Sequence, residues 1–186
     1  MDSPGFWSNR ASDVLASGKG YCNTKSTLFI ALLRASGIPA RQVFVDIDSD
    51  VLFGLVEPGT PYVDHSYVEV FLDGHWVSTD AYIVDEDLFF PAQAKALSEQ
   101  RLLAYGVHQT GSNRFTGTEP SFCQFNHLDP REISSRSWGV FADVGDFYSN
   151  ASGHWNRLNG PIRFAFGVLA NSANRRADEL RRQRYA

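Results

Sequence analysis

Cys22, His65 and Asp80 are the residues of this sequence whose types and spacing suggest chemistry. Cys22 ends the glycine-rich stretch GKGYC and precedes an apolar run that predicts a helix. The N-terminus of a helix favours the thiolate form of a cysteine, and its backbone N–H groups can bind a developing oxyanion. Because a cysteine by itself is more often an inert buried sulfur, a nucleophilic role requires a partner that accepts the thiol proton.

A predicted β-hairpin supplies that partner. The dipeptide Asp73-Gly74 is typical of a two-residue turn, which pairs Leu72 with His75. Side chains alternate between the faces of a strand, so His65 and Asp80 then lie on one face as diagonal neighbours, roughly 5–8 Å apart at Cβ. A carboxylate that accepts one ring N–H fixes the imidazole tautomer, and the other ring nitrogen can take a proton from a thiol. The three residues therefore indicate a Cys–His–Asp thiol site.

The elements that must position these residues follow from apolar periodicity and turn signals. We predict helices over 11–17, 24–36, 91–105 and 161–184, and strands over 42–47, 65–72 and 75–82. The second helix carries apolar residues on every side over 28–33, which indicates a central, buried helix. A helix followed by antiparallel strands and further helices favours an α+β fold, with the central helix packed on the sheet.

The length of 186 residues predicts a single domain. We expect its core at about 11–90 and an extension over 91–186. Within the extension, 106–160 is predicted to be irregular and is rich in aromatic residues. Two hypotheses for this segment stay open, because long irregular segments are often functional. It covers the sheet with apolar groups, or it forms one wall of a substrate cleft.

Composition narrows the class of protein. A formal net charge of −4 argues against nonspecific binding of nucleic acid by the whole surface. The longest apolar run, 28–33, is too short to span a bilayer. The opening MDSPGFWSNR lacks the basic start and apolar centre of a secretory signal, so a cytoplasmic location is expected. Residues 46–90 hold eleven acidic residues and no Lys or Arg, which indicates a solvated acidic surface or a preference for neutral or cationic substrates.

Metal and cofactor sites find little support in the sequence. Cys123 and His127, in the stretch CQFNH, have no further ligands at the spacing of a zinc site. Neither a Walker phosphate loop nor an EF-hand loop is present. The two cysteines, Cys22 and Cys123, also lack the pattern of a disulfide framework. We therefore predict no cofactor and no bound metal.

The segments ASDVLASGKGYCNTKSTLFIALLRASGIPARQVFV and VDHSYVEVFLDGHWVSTDAY together resemble the core of the transglutaminase-like superfamily. In that family a nucleophilic cysteine heads a helix, the catalytic histidine begins a strand and an aspartate lies on the next strand. The resemblance covers about residues 11–84. It implies Cys22 as the nucleophile, His65 as the general base and Asp80 as the carboxylate that orients it. It also implies a papain-like architecture and makes Trp7 a candidate for the second oxyanion donor.

The resemblance leaves the reaction open, because the family includes protein cross-linking enzymes, peptidases, amidases, peptide N-glycanases and inactive members. It implies a thiol enzyme that forms an acyl-enzyme on a peptide, protein or small amide substrate. A peptidase or amidase is expected by analogy with compact microbial relatives. The alternatives are a transglutaminase-type or other acyltransferase, and a noncatalytic peptide-binding module. No nucleic-acid or membrane partner is expected, and the oligomeric state stays open.

Overall fold

The computed structural model describes residues 10–57, 59–128, 133–150 and 160–183. Its helices are α1 (Ala11–Ser17), α2 (Cys22–Ala35), α3 (Glu86–Ser98), α4 (Val144–Asn150) and α5 (Gly160–Gln183). Its strands are β1 (Ala40–Asp48), β2 (Tyr62–Leu72), β3 (His75–Thr79), β4 (Leu103–Ala104), β5 (Val107–His108) and β6 (Ile133–Phe141). None of the helices in the described ranges combines the length and the apolarity needed to cross a membrane.

Four strands form the main sheet in the order β3-β2-β1-β6, and each neighbouring pair is antiparallel. The short strands β4 and β5 pair with each other in a second, small sheet. Helix α2 contacts β1 and β2, and α5 contacts α3. Helices packed on an antiparallel sheet confirm the predicted α+β fold. The first and last predicted helices, over 11–17 and 161–184, correspond to α1 and α5.

The β2–β3 hairpin has the predicted register. Leu72 pairs with His75, and the two residues between them form the turn. Asp73 has a φ of 48° and Gly74 a φ of 84°. Two successive positive φ angles give a turn whose twist matches that of the strands, and Asp-Gly is a preferred sequence for it. The local sequence therefore determines which residues of the two strands face each other.

The third strand is shorter than predicted. It ends at Thr79, so the prediction that it continues to Tyr82 is wrong, and Asp80 lies just beyond the strand. The backbone turns there because the Asp80 carbonyl accepts the Ile83 N–H at 2.9 Å, while the Asp80 N–H donates to the Ser121 carbonyl at 3.1 Å. These bonds take the place of further pairing with β2.

The helix predicted over 24–36 is α2, which begins two residues earlier, at Cys22. The prediction that this helix is buried on every side is wrong. Ile30 is 4% exposed, whereas Leu32 is 52% exposed and Ala31 is also exposed. The helix packs on β1 and β2 and contacts α1, and these neighbours leave its outer face in solvent. Uniform apolarity therefore does not distinguish a central helix from one that lies on a sheet.

The helix predicted over 91–105 is α3, which lies nearer the N-terminus at Glu86–Ser98. Asp85 caps it, since its Oδ1 accepts the Leu88 N–H at 3.1 Å. An aspartate cap followed by acidic residues in the first turn is a favourable helix start. Pro91, the first residue of the predicted helix, lies inside α3 instead. Both signals occur in the sequence, and the capping interaction decides the boundary.

The segment 106–160, predicted to be irregular, contains β5, β6 and α4. Strand β6 extends the sheet beside β1, with Phe141 opposite Gln42. Its sequence, ISSRSWGVF, lacks the alternation of apolar and polar residues that marks a half-buried strand, so the sequence does not predict it. The stacked rings of Phe44 and Phe147, with centroids 3.9 Å apart, hold β1 and α4 together.

Candidate active site

Cys22 is the first residue of α2, and hydrogen bonds fix the chain that leads into it. The Tyr21 N–H donates to Oγ1 of Thr24 at 2.9 Å, and this hydroxyl donates to the Tyr21 carbonyl at 3.3 Å. A Cβ at Gly20 would lie 2.7 Å from the same Oγ1, so this close approach favours glycine. The Cys22 side chain is half-buried, and its Sγ lies 3.6 Å from Oδ1 of Asn23. The thiol therefore lies at the positive end of the helix.

His65 and Asp80 meet in the protein interior. Nε2 of His65 lies 3.1 Å from Oδ2 of Asp80, and both side chains are buried. The hairpin register predicts this proximity, although Asp80 reaches the imidazole from the turn that follows β3. The Cys22 side chain is also close enough to the His65 ring to raise its pKa. Because Asp80 occupies Nε2, Nδ1 is the ring nitrogen that remains available to a thiol.

The pKa of His65 is raised from its usual 6.5 to about 9. Burial lowers this pKa, but the hydrogen bonds to Asp80 and Cys22 and the charges of both groups raise it by more. The ring of Phe125 packs edge-on against the imidazole, with centroids 5.2 Å apart. The imidazolium form is therefore favoured at neutral pH, in a site that its aromatic neighbour helps to shield from water.

A distant segment, which sequence reasoning did not assign to the site, holds Asp80 in place. The Cys123 N–H donates to Oδ1 of Asp80, and the Cys123 thiol donates to the Asp80 carbonyl at 3.3 Å. The carboxylate therefore has a partner on each oxygen, the Cys123 amide on one and His65 on the other. The apolar residues Phe122, Cys123 and Phe125 indicate that this segment is buried, but their pattern does not indicate that it contacts Asp80.

The two cysteines occupy different environments. Cys22 is half-buried and lines a cavity, whereas Cys123 is fully buried. Burial and the nearby Asp80 raise the pKa of the Cys123 thiol well above its usual value, so it stays protonated. Among the described residues, no cluster of three or more His, Cys, Asp or Glu side chains could hold a metal ion. Trp7, the candidate for a second oxyanion donor, lies outside the described residues.

A buried polar network supports the first turn of α2. The Ser26 hydroxyl donates to the Cys22 carbonyl at 2.6 Å and is 2.6 Å from the Tyr82 hydroxyl. Its oxygen also lies 3.2 Å from Oγ of Ser66, which accepts from the Gln42 amide at 2.9 Å. Burial raises the pKa of Tyr82 well above its usual value, so its hydroxyl remains a neutral member of the network. These bonds tie the helix that carries the thiol to β1 and β2.

A cavity of about 250 Å³ lies beside the Cys22 and His65 side chains. Its walls come from the start of α2, from β1 and β2, from the turn after β1, from the segment entering α3, and from α5. Of the described part of 106–160, Gly106 and Gln124 line the cavity. In the described residues, this segment thus contributes less to the cavity wall than α5 does, and its role in a substrate cleft stays a prediction.

The comparisons with known proteins agree with this architecture. Residues 2–81 match the family model described as the transglutaminase-like superfamily. The matched range includes Cys22, His65 and Asp80. Neither the curated proteins nor the solved structures gave a significant match. Over residues 2–81, this chain is therefore similar to the transglutaminase-like superfamily.

Proposed function

We propose that this protein is a thiol hydrolase that cleaves an amide or related acyl bond through an acyl-enzyme on Cys22. The observation that carries the proposal is the position of the buried His65 imidazole. Its Nε2 lies 3.1 Å from Asp80, and Cys22, which lines the same cavity, helps to raise the pKa of the ring. A module that only binds peptides has no use for a buried imidazole poised in this way.

In the first half-reaction, the Cys22 thiolate attacks the carbonyl carbon and forms a C–S bond, while the carbonyl electron pair moves to oxygen. The backbone N–H of Cys22, at the N-terminus of α2, stabilises the oxyanion. When the oxyanion collapses, the C–N bond breaks and the amine leaves. Protonated His65 donates the Nδ1 proton to the departing nitrogen. The products are a thioester on Cys22, a neutral imidazole and a free amine.

In the second half-reaction, neutral His65 accepts a proton from water, and the hydroxide oxygen forms a bond to the thioester carbon. The C–S bond then breaks, the carboxylic acid leaves and the Cys22 thiolate is restored beside the imidazolium. Asp80 accepts the Nε2 proton of His65 in a hydrogen bond and keeps the imidazole in one orientation. The pKa of about 9 supports this cycle, because His65 is protonated at neutral pH when the leaving amine needs a proton.

Intact-mass analysis with a panel of amide and ester acyl donors tests the proposal. The wild-type protein should gain the mass of the acyl group, Cys22→Ala should not, and Cys123→Ala should behave as wild type because that thiol is buried. Iodoacetamide should likewise alkylate Cys22 rapidly at neutral pH while Cys123 lags. Slow alkylation of both cysteines, with no acyl-enzyme from any donor, would favour a noncatalytic binding module.

The same assay identifies the acceptor that resolves the thioester. With water as the acceptor, the acylated protein returns to its free mass and releases the carboxylic acid. Adding a primary amine and recovering mainly the new amide would show instead that the protein is an acyltransferase of the transglutaminase type. The thiol chemistry at Cys22 is common to both reactions, so this measurement separates them without changing the nucleophile.

A further inference from the structure

We propose that the cavity beside Cys22 is an acyl pocket, and that it selects acyl donors carrying a short, uncharged apolar group. This inference rests on the proposed function and adds the class of substrate. Since an acyl-enzyme must retain its acyl group while the leaving group departs, the space next to the thiol is where that group resides. Both Cys22 and His65 line the cavity.

The walls of the cavity are largely aliphatic. The turn after β1 contributes Val51, Leu52, Leu55 and Val56, the segment that enters α3 contributes Ile83, and α3 itself contributes Leu88. Val51 is 2% exposed, and Leu88 is 7% exposed. Such a surface gains from burying methylene groups, each of which is worth about fourfold in affinity. An apolar acyl group therefore fits these walls better than a polar one.

A charged acyl group of either sign is disfavoured in this cavity, because it would lose its hydration against the aliphatic walls. Asp64 is buried where it lines the cavity, so it offers no solvated counter-charge to an incoming group. The Lys25 Nζ donates to the Ile83 carbonyl at 2.6 Å, so an anionic group would have to break this bond and a cationic group would meet a like charge. Arg181 also lines the cavity, and its Nη2 lies 2.6 Å from Oδ2 of Asp85. A neutral group avoids displacing or opposing any of these charges.

The size of the cavity limits the group that it can enclose. Its volume is about 250 Å³. A cavity of about 150 Å³ encloses a benzene molecule, and pockets for drug-sized ligands begin at about 300 Å³. The space therefore fits an acyl chain of roughly four to six carbons, or a phenylacetyl group. A polypeptide segment or a large thioester carrier would remain outside, with its acyl group alone inserted.

Small side chains on helix α5 determine the length of the pocket. Ala170, Ala173 and Ala177 recur at helical spacing on the face that lines the cavity. The helix is fastened to the opposite wall by Arg176, whose Nη1 donates to the Leu55 carbonyl at 3.1 Å. Because alanines leave the space open, a larger side chain at Ala173 would shorten the pocket. Truncating Leu55 would lengthen it.

A series of 4-nitrophenyl esters tests the proposal on the full chain. In each assay the Cys22 thiolate forms the C–S bond, the ester C–O bond breaks, and 4-nitrophenolate leaves with the bonding electrons. The acyl groups run from acetyl to dodecanoyl. An anionic hemisuccinyl ester and a cationic trimethylammonio-pentanoyl ester are compared with neutral pentanoyl. The kcat/KM for nitrophenolate release is measured, and intact mass verifies the acyl-enzyme against Cys22→Ala.

The wild type should gain about fourfold in kcat/KM per added methylene up to about six carbons, and longer chains should gain nothing further. Each charged ester should react at least about tenfold more slowly than the pentanoyl ester. Ala173→Leu should move the optimum toward shorter chains, and Leu55→Ala toward longer ones. Ala35→Leu, a change on the exposed end of α2, is the matched control and should leave the preference unchanged.

Two results would overturn the inference. One is an acyl-enzyme that forms at equal rates from all chain lengths and charges. The other is an unchanged length preference in both Ala173→Leu and Leu55→Ala. Leu55→Ala, which enlarges the pocket, keeps the test valid if Ala173→Leu does not fold. Failure of the wild type to form an acyl-enzyme from any ester is a distinct outcome, which would overturn the proposed function and this inference with it.

Discussion

At the scale of single residues, the site depends on the pKa of His65, which burial lowers and the interactions with Asp80 and Cys22 raise. A buried imidazole would ordinarily lose its proton, because a charge is costly in an apolar environment. The interactions with Asp80 and with Cys22 reverse this effect and raise the pKa of His65 to about 9. The folded protein therefore favours the imidazolium from acidic pH up to about 9, and loses it as the pH rises further.

Replacing Asp80 with asparagine tests this balance. The carboxylate raises the pKa of His65, so Asp80→Asn should lower that pKa. The alkaline fall of kcat/KM for an amide substrate should then move from about pH 9 to lower pH. Its maximum should drop by roughly 10²–10⁴-fold, because the amide no longer orients and charges the imidazole as a carboxylate does. A pH–rate profile of both proteins provides the measurement.

Asp73→Asn is the matched control for this change. Asp73 lies in the hairpin turn with a φ of 48°, a conformation that asparagine also adopts readily. The control should keep the wild-type profile. If the alkaline limb of Asp80→Asn stayed at the wild-type pH, the Asp80 carboxylate would not be what raises the pKa of His65.

At the scale of elements, the turn after β1 is the part of the cavity wall under the tightest steric control. Gly54 has a φ of 78°, and a Cβ there would lie 2.0 Å from the Tyr105 ring. The turn places Leu52 and Leu55 at the cavity. Its shape therefore requires a residue that has neither a side chain nor a preference for negative φ.

The pair Gly54→Ala and Gly37→Ala separates the two requirements. Gly37 has a φ of 75° with open space around it, so its substitution should cost only the backbone strain, about 1–2 kcal/mol of unfolding free energy. Gly54→Ala adds a clash with Tyr105 and should cost about 2–4 kcal/mol. Urea denaturation of both variants measures the difference. Equal losses would mean that the Tyr105 ring moves aside freely.

At the scale of the whole molecule, α5 closes the cavity from the far end of the chain. Arg181 joins it to the start of α3 through Asp85, with Nη2 2.6 Å from Oδ2, and also pairs with Asp178 at 2.7 Å. These side chains are 34–45% exposed, so solvent screens the pairs and their contribution to stability is small. Only the Asp85 pair links α5 to another element, because Asp178 lies on α5 itself.

Removing the ion pair between Arg181 and Asp85 should have little effect on stability but should make the Cys22 thiol more accessible. Arg181→Leu should lower the free energy of unfolding by about 0.5 kcal/mol or less. It should also raise the rate at which a bulky maleimide labels Cys22, relative to iodoacetamide, because α5 covers the thiol less firmly. The exposed neighbour Arg182→Leu is the control and should leave the ratio unchanged. An equal ratio in both variants would mean that Arg181 does not position α5 over the cavity.

The sequence by itself determined the local parts of this protein. The limits of α1, the start of α2 near Cys22 and the register of the β2–β3 hairpin follow from turn residues and apolar periodicity. Those signals act between residues a few positions apart. The register was sufficient to place His65 and Asp80 on one side of the hairpin, even though β3 ends one residue before the aspartate.

Only the tertiary structure decided the rest. The Cys123 amide that binds the Asp80 carboxylate lies 43 positions further along the chain. Strand β6 pairs with β1 despite its polar sequence. Helix α5 lines a cavity whose other walls come from elements much earlier in the chain. Each of these contacts joins distant segments, and burial determines it rather than local backbone preference. No short-range pattern of residue types encodes such contacts, because their energy exists only once the separate elements have packed together.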